Sequence, residues 1–192
     1  MTLSSTQRER LVQASEAAFG NAGALLDDAK FLRGDGRFAR AKALAMLAEE
    51  ELAKALTLCV CGSGNRWDAN VRKALKHHPP KQGIAHAARK WFSWMERNAA
   101  MIAELNRHAT IPGHIPAGPS ADQMASFLKE GQSITDDGAQ DREKQDALYV
   151  RVDRIGDVIA DPASVTSDEA DRWIDNAEVV RRFVELIKNV TA

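Results

Sequence analysis

Two alanine-rich stripes of helical period lie one after the other in this chain, with Gly34-Asp35-Gly36 between them. From residue 5 to about 33, Leu11, Ala14, Ala18, Ala22, Leu25, Ala29 and Leu32 recur every three or four positions, the spacing of one helix face. From about Arg37 to Cys61, Phe38, Ala41, Ala45, Ala48, Leu52, Ala55 and Cys59 repeat almost like coiled-coil seam positions. Side chains this small let two helix backbones come close, so the pattern predicts a tight antiparallel hairpin. Gly20 and Gly23 interrupt the first stripe, and each costs about 1 kcal/mol relative to Ala inside a helix. Close approach of a partner helix or a local bend would account for them.

Beyond residue 64 the pattern stays helical but is more broken. A short helix is expected from Trp67 to about Lys76, ended by His77-His78-Pro79-Pro80, because a residue before proline is pushed out of the α region. Proline is tolerated in a first turn, so the same pair can open a fourth helix running to about His108. Its inward residues are Ile84, Ala88, Trp91, Met95, Ile102 and Leu105, and Trp91 and Trp94 read as core rather than as a stacking platform. Ile111 to Pro119 reads as loop, Ala121 to Glu130 as a short helix, Gly131 to Gln140 as loop, and Ala147 to Val152 as a lone strand. Thr166 to Glu169 is a capping-box pattern opening a last helix with Trp173, Ala177, Val180, Val184 and Ile187 inward. The expected fold is all-α, an up-and-down helical bundle with a long N-terminal hairpin and a C-terminal helix. Residues 1–192 read as one domain, with a core over 5–110 and a less regular extension over 111–192.

The composition narrows the function. Lys plus Arg is 26 and Asp plus Glu is 27, a net charge of -1, so no bulk electrostatic grip on nucleic acid or anionic lipid is indicated, although a local patch can still act. No apolar run reaches the roughly 18–20 residues that span a bilayer, and MTLSSTQRER has no apolar signal-peptide segment. A cytoplasmic location without membrane partners is the expectation. Cys59 and Cys61 sit two apart on a helix, about 200° around it, and cannot both face one metal there. No metal and no cofactor are expected.

A more specific pattern runs through both stripes. Asn21-Ala22-Gly23-Ala24-Leu25-Leu26-Asp27-Asp28-Ala29 is followed by Gly36-Arg37-Phe38-Ala39-Arg40-Ala41, then by Leu44-Ala45-Met46-Leu47-Ala48-Glu49-Glu50-Glu51-Leu52-Ala53-Lys54-Ala55. This resembles the AbiV-type abortive-infection family, a branch of the HEPN superfamily of helical domains. His78-Pro79-Pro80-Lys81 is similar to the family's downstream His-x-x-Lys, and Leu148-Tyr149-Val150 before Pro162 is similar to its C-terminal part. The resemblance implies a bacterial anti-phage protein on a HEPN-like bundle. HEPN domains are often metal-independent ribonucleases that act as dimers and carry Arg, four to six residues, then His. Arg72 with either His77 or His78 fits. A homodimer and an RNA substrate are therefore expected. The alternative is a non-enzymatic effector that binds a phage or translation component on the same scaffold. A nucleotide-binding or antitoxin-like partner without activity is a third, weaker option.

Each candidate residue has a structural and a functional reading. Glu50 and Lys54 are four apart, a helix pair worth a few tenths of a kcal/mol. Arg40, Leu44, Leu47, Glu51 and Lys54 share a strip beside the core stripe, so Glu51 is expected half-buried and in need of Arg40 or Lys54. Asn21 and Asp28 are two turns apart and could meet that strip. Both sets read as a structural polar cluster or as part of a site. Arg72, His77, His78 and Lys81 form a basic turn or a catalytic one, with His as acid or base and Arg as the phosphate clamp. In a continuous helix His77 lies about 140° from Arg72 and His78 about 120° the other way. The proline break turns the chain at His78 and sets it at the mouth of the fourth helix, where free N–H groups suit a phosphate. That reading favours His78, with His77 facing solvent.

Overall fold

The computed structural model describes residues 3–64, 67–108 and 121–191. Helix α1 (Ser5–Gly34) starts at a capping box: Gln7 N donates to the Ser4 hydroxyl at 3.2 Å, and Ser4 N donates to Gln7 Oε1 at 2.9 Å. The turn into α2 (Phe38–Ser63) uses Gly36 at φ +77°, a left-handed conformation that glycine adopts without a Cβ penalty. The two helices run antiparallel. Ser15 Oγ donates to the Ala55 carbonyl at 2.8 Å, and a Cβ on Gly62 would sit 3.5 Å from Leu11, so rising numbers on one helix meet falling numbers on the other.

The hairpin is as expected, but its inner stripe differs in detail. The buried α1 residues are Leu11, Ser15, Ala18, Ala22, Leu26 and Ala29. Leu26 is fully buried and Leu25 only half-buried, while Ala14 is exposed. Adjacent positions differ by about 100° around a helix, so choosing Leu25 over Leu26 misplaces the stripe. Ser15 replaces Ala14 in the core because its hydroxyl finds the Ala55 carbonyl, which removes the cost of burying it. A Cβ at Gly20 or Gly23 would meet nothing within 4 Å, so neither marks a close helix approach.

Helix α2 is covered on several sides. Helix α1 lies along one face, and α4 (His78–Arg97), α7 (Ala139–Leu148) and the last helix, α8 (Ser167–Thr191), cover the others. Lys42, Glu49 and Glu50 are therefore buried together with the alanines. Helix α8 (Ser167–Thr191) opens with the expected box, Thr166 N donating to Glu169 Oε2 at 3.0 Å and Glu169 N to Thr166 Oγ1 at 3.3 Å. It packs Trp173, Ala177, Val180, Phe183 and Val184 into the core.

Helix α3 (Ala69–Lys76) is capped by Asp68. Helix α4 (His78–Arg97) begins one residue after α3, with proline in its first turn. The expected run to His108 is two helices: α4 ends at Arg97 with Asn98 as its C-cap, whose side-chain amide donates to the Trp94 carbonyl at 2.7 Å, and α5 spans Ala99–His108. The expected loop at Ile111 to Pro119 lies outside the described residues.

Two expectations after Pro119 are overturned. Gly131 to Gln140 is helical: α6 runs Ala121–Asp137 and α7 runs Ala139–Leu148, parted only by Gly138 at φ +61°. Gly131 is a packing residue and not a breaker, since a Cβ on Gly83 of α4 would lie 2.4 Å from the Gly131 carbonyl oxygen. The polar residues Gln132, Ser133, Asp136 and Asp137 form the exposed face of α6. The lone strand is instead the end of α7 followed by a small antiparallel hairpin, β1 (Arg151–Val152) with β2 (Val158–Ala160). The fold is an all-α bundle with that hairpin as its sheet among the described residues.

Candidate functional site

Three distant stretches of chain meet around one carboxylate. Helix α2 supplies Glu50, which is 2% exposed. The first turn of α4 supplies His78, Lys81 and Gln82, positions i, i+3 and i+4 on one helix face. Helix α7 supplies Lys144 and Asp141, one turn apart. Glu50 accepts from Lys144 Nζ at 2.9 Å and from Gln82 Nε2 at 2.9 Å. It also accepts from His78 Nδ1, and Lys81 Nζ stands 3.6 Å away. Lys144 Nζ is 3.1 Å from Asp141 Oδ1, an ion pair without hydrogen-bond direction.

Burial alone would raise the Glu50 carboxyl. The hydrogen bonds from Lys144, His78 and Gln82, with the charge of Lys144, outweigh it and hold Glu50 below the ordinary glutamate range. An ionised Glu50 can only accept, so Nδ1 of His78 carries the hydrogen between them. Nε2 has no hydrogen-bond partner among the described residues, and the His78 side chain is 50% exposed. In a neutral imidazole, a carboxylate that fixes one nitrogen as donor leaves the other as the acceptor.

The α4 mouth is poorer in donors than the sequence reading supposed. Pro79 and Pro80 occupy its first turn and have no N–H. Positive charge here comes from the side chains of Lys81 and Lys144, both buried.

Glu50, His78 and Asp141 also each offer a ligand atom, all within 4.8 Å of one another. Lys144 already lies against both carboxylates, and Lys81 adds a second cation beside Glu50. A divalent ion would have to displace Lys144 and sit beside Lys81. The donor set fits a fixed ammonium better than a metal.

A second buried pair flanks the first. Arg89 of α4 donates to Glu49, which is 1% exposed, and its guanidinium lies 5.9 Å from the Trp173 ring centre. Burial pushes Arg89 down to about 10, so it remains a cation at neutral pH. This pair fastens α4 to α2.

The other sequence candidates fall elsewhere. Arg72 is exposed on α3 and donates to the Trp67 carbonyl at 3.3 Å, outside the Glu50 cluster. His77 is exposed at the α3–α4 junction. Lys54 pairs with Glu51 at 3.1 Å and not with Glu50, because Glu50 turns inward while Glu51 stays half-buried. Asn21, Asp28 and Arg40 are exposed and make no hydrogen bond to Glu51 among the described residues. Sequence reasoning missed Gln82, Asp141, Lys144, Glu49 and Arg89. The i, i+3, i+4 spacing of His78, Lys81 and Gln82 was a usable signal. Lys144 had none once its segment was not recognised as part of the bundle.

A family model described as AbiV, of the HEPN group, matches residues 10–182. The chain belongs to the AbiV family of HEPN proteins. No curated protein and no solved structure matches. The AbiV match includes all three segments of the site, Glu50, His78 to Gln82, and Asp141 to Lys144. It extends the resemblance over residues 21–55 into α8 and places the chain in an abortive-infection family.

Proposed function

We propose that this AbiV-family chain is a metal-independent endoribonuclease of abortive infection in the cytoplasm. The observation that carries the reading is His78, held through Nδ1 by a buried carboxylate, with a half-exposed side chain whose Nε2 has no hydrogen-bond partner among the described residues. In the proposed step Nε2 takes the proton of a ribose 2′-hydroxyl. The 2′-oxygen attacks the neighbouring phosphorus, the P–O5′ bond breaks, and a 2′,3′-cyclic phosphate forms. The departing 5′-oxygen takes a proton from an imidazolium or from solvent. Lys81 supplies positive charge beside the reacting phosphate, and Arg72 on the outer face of α3 holds the strand. A homodimer belongs to this reading, since a second His78 across a two-fold axis supplies the acid that one imidazole lacks.

The test is cleavage of a labelled single-stranded RNA by the purified protein and by His78→Ala, His77→Ala and Arg72→Ala. His78→Ala removes cleavage, His77→Ala keeps most of it, and Arg72→Ala raises KM, with helical circular dichroism retained in all. Equal loss in both histidine variants, or loss only in His77→Ala, overturns the assignment. Light scattering that shows a monomer at micromolar concentration counts against the two-fold site.

The contact effector is the second reading, favoured by the exposed apolar residues Tyr149, Val150, Val152, Ile155, Val158 and Ile159 around the hairpin. Such a surface marks a protein contact. Growth arrest with intact cellular RNA decides for it.

A further inference from the structure

We propose that the cavity between α3, α4 and α6 binds a nucleobase of single-stranded RNA beside the scissile phosphate. The inference rests on the nuclease reading and adds a subsite to it. The cavity has a volume of about 460 Å³, within the range of small-ligand sites, which are mostly apolar with a few placed polar groups. Helix α3 presents Asn70 and Lys73 to it, the α3–α4 junction His77, α4 Ile84, and α6 Leu128 and Gln132.

Each part suits a base with its phosphate. Ile84 and Leu128 give apolar walls, and Leu128 is 59% exposed with the cavity empty of side chains. The Gln132 amide nitrogen is taken by Asp136 at 2.7 Å, which leaves its carbonyl to accept from an exocyclic amine. The Asn70 side-chain amide, with no hydrogen-bond partner among the described residues, both donates and accepts. Among the described lining residues none is a carboxylate, and Lys73 brings a positive charge, which suits a phosphate-bearing ligand. The Gly83–Gly131 contact forms one wall, where a Cβ on either residue would come within 2.5 Å of the other's carbonyl oxygen. Backbone packed against backbone gives that wall a fixed shape. His77 lines the cavity and is the chain neighbour of His78, about 3.8 Å away between Cα atoms, which puts the cavity one residue from the general base of the nuclease reading. Lys73 on α3 then has a role that Arg72, which does not line the cavity, does not share.

The test is fluorescence anisotropy of a labelled twelve-nucleotide single-stranded RNA bound to full-length His78→Ala protein, which cannot cut it. Leu128→Asp and Ala87→Phe in that background are each expected to weaken binding at least tenfold with circular dichroism unchanged. Leu128 is exposed, so its variant folds even if the cavity-filling one does not. An abasic oligomer of the same length is expected to bind His78→Ala at least tenfold more weakly than the normal RNA. Affinities within twofold for Leu128→Asp, or no difference between abasic and normal RNA, overturn the subsite. A free 5′-mononucleotide that binds more tightly than the RNA overturns it in favour of a nucleotide site. Base-dependent binding without cleavage by the wild type refutes the nuclease and leaves the base site standing. Cleavage without base dependence refutes the base site alone.

Discussion

Replacing Glu50 by glutamine keeps the size of the side chain and removes the charge that the site is built around. Lys144 and Lys81 then lie buried beside a neutral amide. Removing one partner of a buried ion pair costs about 3–5 kcal/mol. Lys144 keeps Asp141 at 3.1 Å, so the expected loss is at the low end, about 3 kcal/mol. With a urea dependence of about 2 kcal/mol per molar for a chain of this size, the midpoint falls by about 1.5 M. The pH dependence gives a second handle. Glu50 titrates below its ordinary 4.5 when folded. Its contribution is complete above 4.5 and is lost as pH falls from there through the lower folded value. The gap between wild type and Glu50→Gln should therefore be constant from pH 7 to 5 and shrink as pH falls further. Urea titrations followed by circular dichroism at these pH values measure it. A midpoint shift under 0.5 M at pH 7 (about 1 kcal/mol), or a gap that does not narrow in acid, refutes the idea that a charged Glu50 ties the three helices together.

Other substitutions separate the packing arguments. Gly20→Ala and Gly23→Ala, in open space on α1, should each stabilise by up to about 1 kcal/mol. Gly83→Ala, whose Cβ would lie 2.4 Å from the Gly131 oxygen, should destabilise by about 1–3 kcal/mol; thermal melts that order the three the other way contradict the helix crossing. Leu52→Asp buries an unpaired carboxylate at a position 1% exposed and should abolish cooperative unfolding; a variant with an intact sharp melt would show that α2 is not the centre of the bundle. RNA cleavage should persist in excess EDTA, and a loss reversed by added Mg²⁺ or Mn²⁺ would return Glu50, His78 and Asp141 as metal ligands.

The hairpin, the proline start of α4, the capping box of α8 and the core of α8 were all legible because each rests on local spacing. Leu26 was missed by a single residue, as happens where Ala, Leu and Leu adjoin and more than one phase of the stripe satisfies the pattern. Gly131 was read as a break because propensity counts what glycine costs and not what a neighbouring Gly83 gains from it. In the site, His78 and Lys81 stood out through the proline step. Glu50 was singled out as a surface partner of Lys54, and its burial follows from the way α4 and α7 cover the far side of α2. Nothing within α2 itself reports those covers. Lys144 pairs across 94 positions of sequence, a distance that helical periodicity does not see.

That separation has a consequence for synthesis. The ribosome delivers α1 and α2 first, and they can pair at once, since their contacts are local. Glu50 then waits without its strongest cation until residue 144 has left the exit tunnel, and the α8 cover over α2 comes later still. For most of its translation the chain therefore has a hairpin but no finished Glu50–Lys144 pair to position His78. A cell that makes this protein carries the Glu50–Lys144 pair only on chains extended past α7, and a message cut or stalled before α7 yields fragments without it.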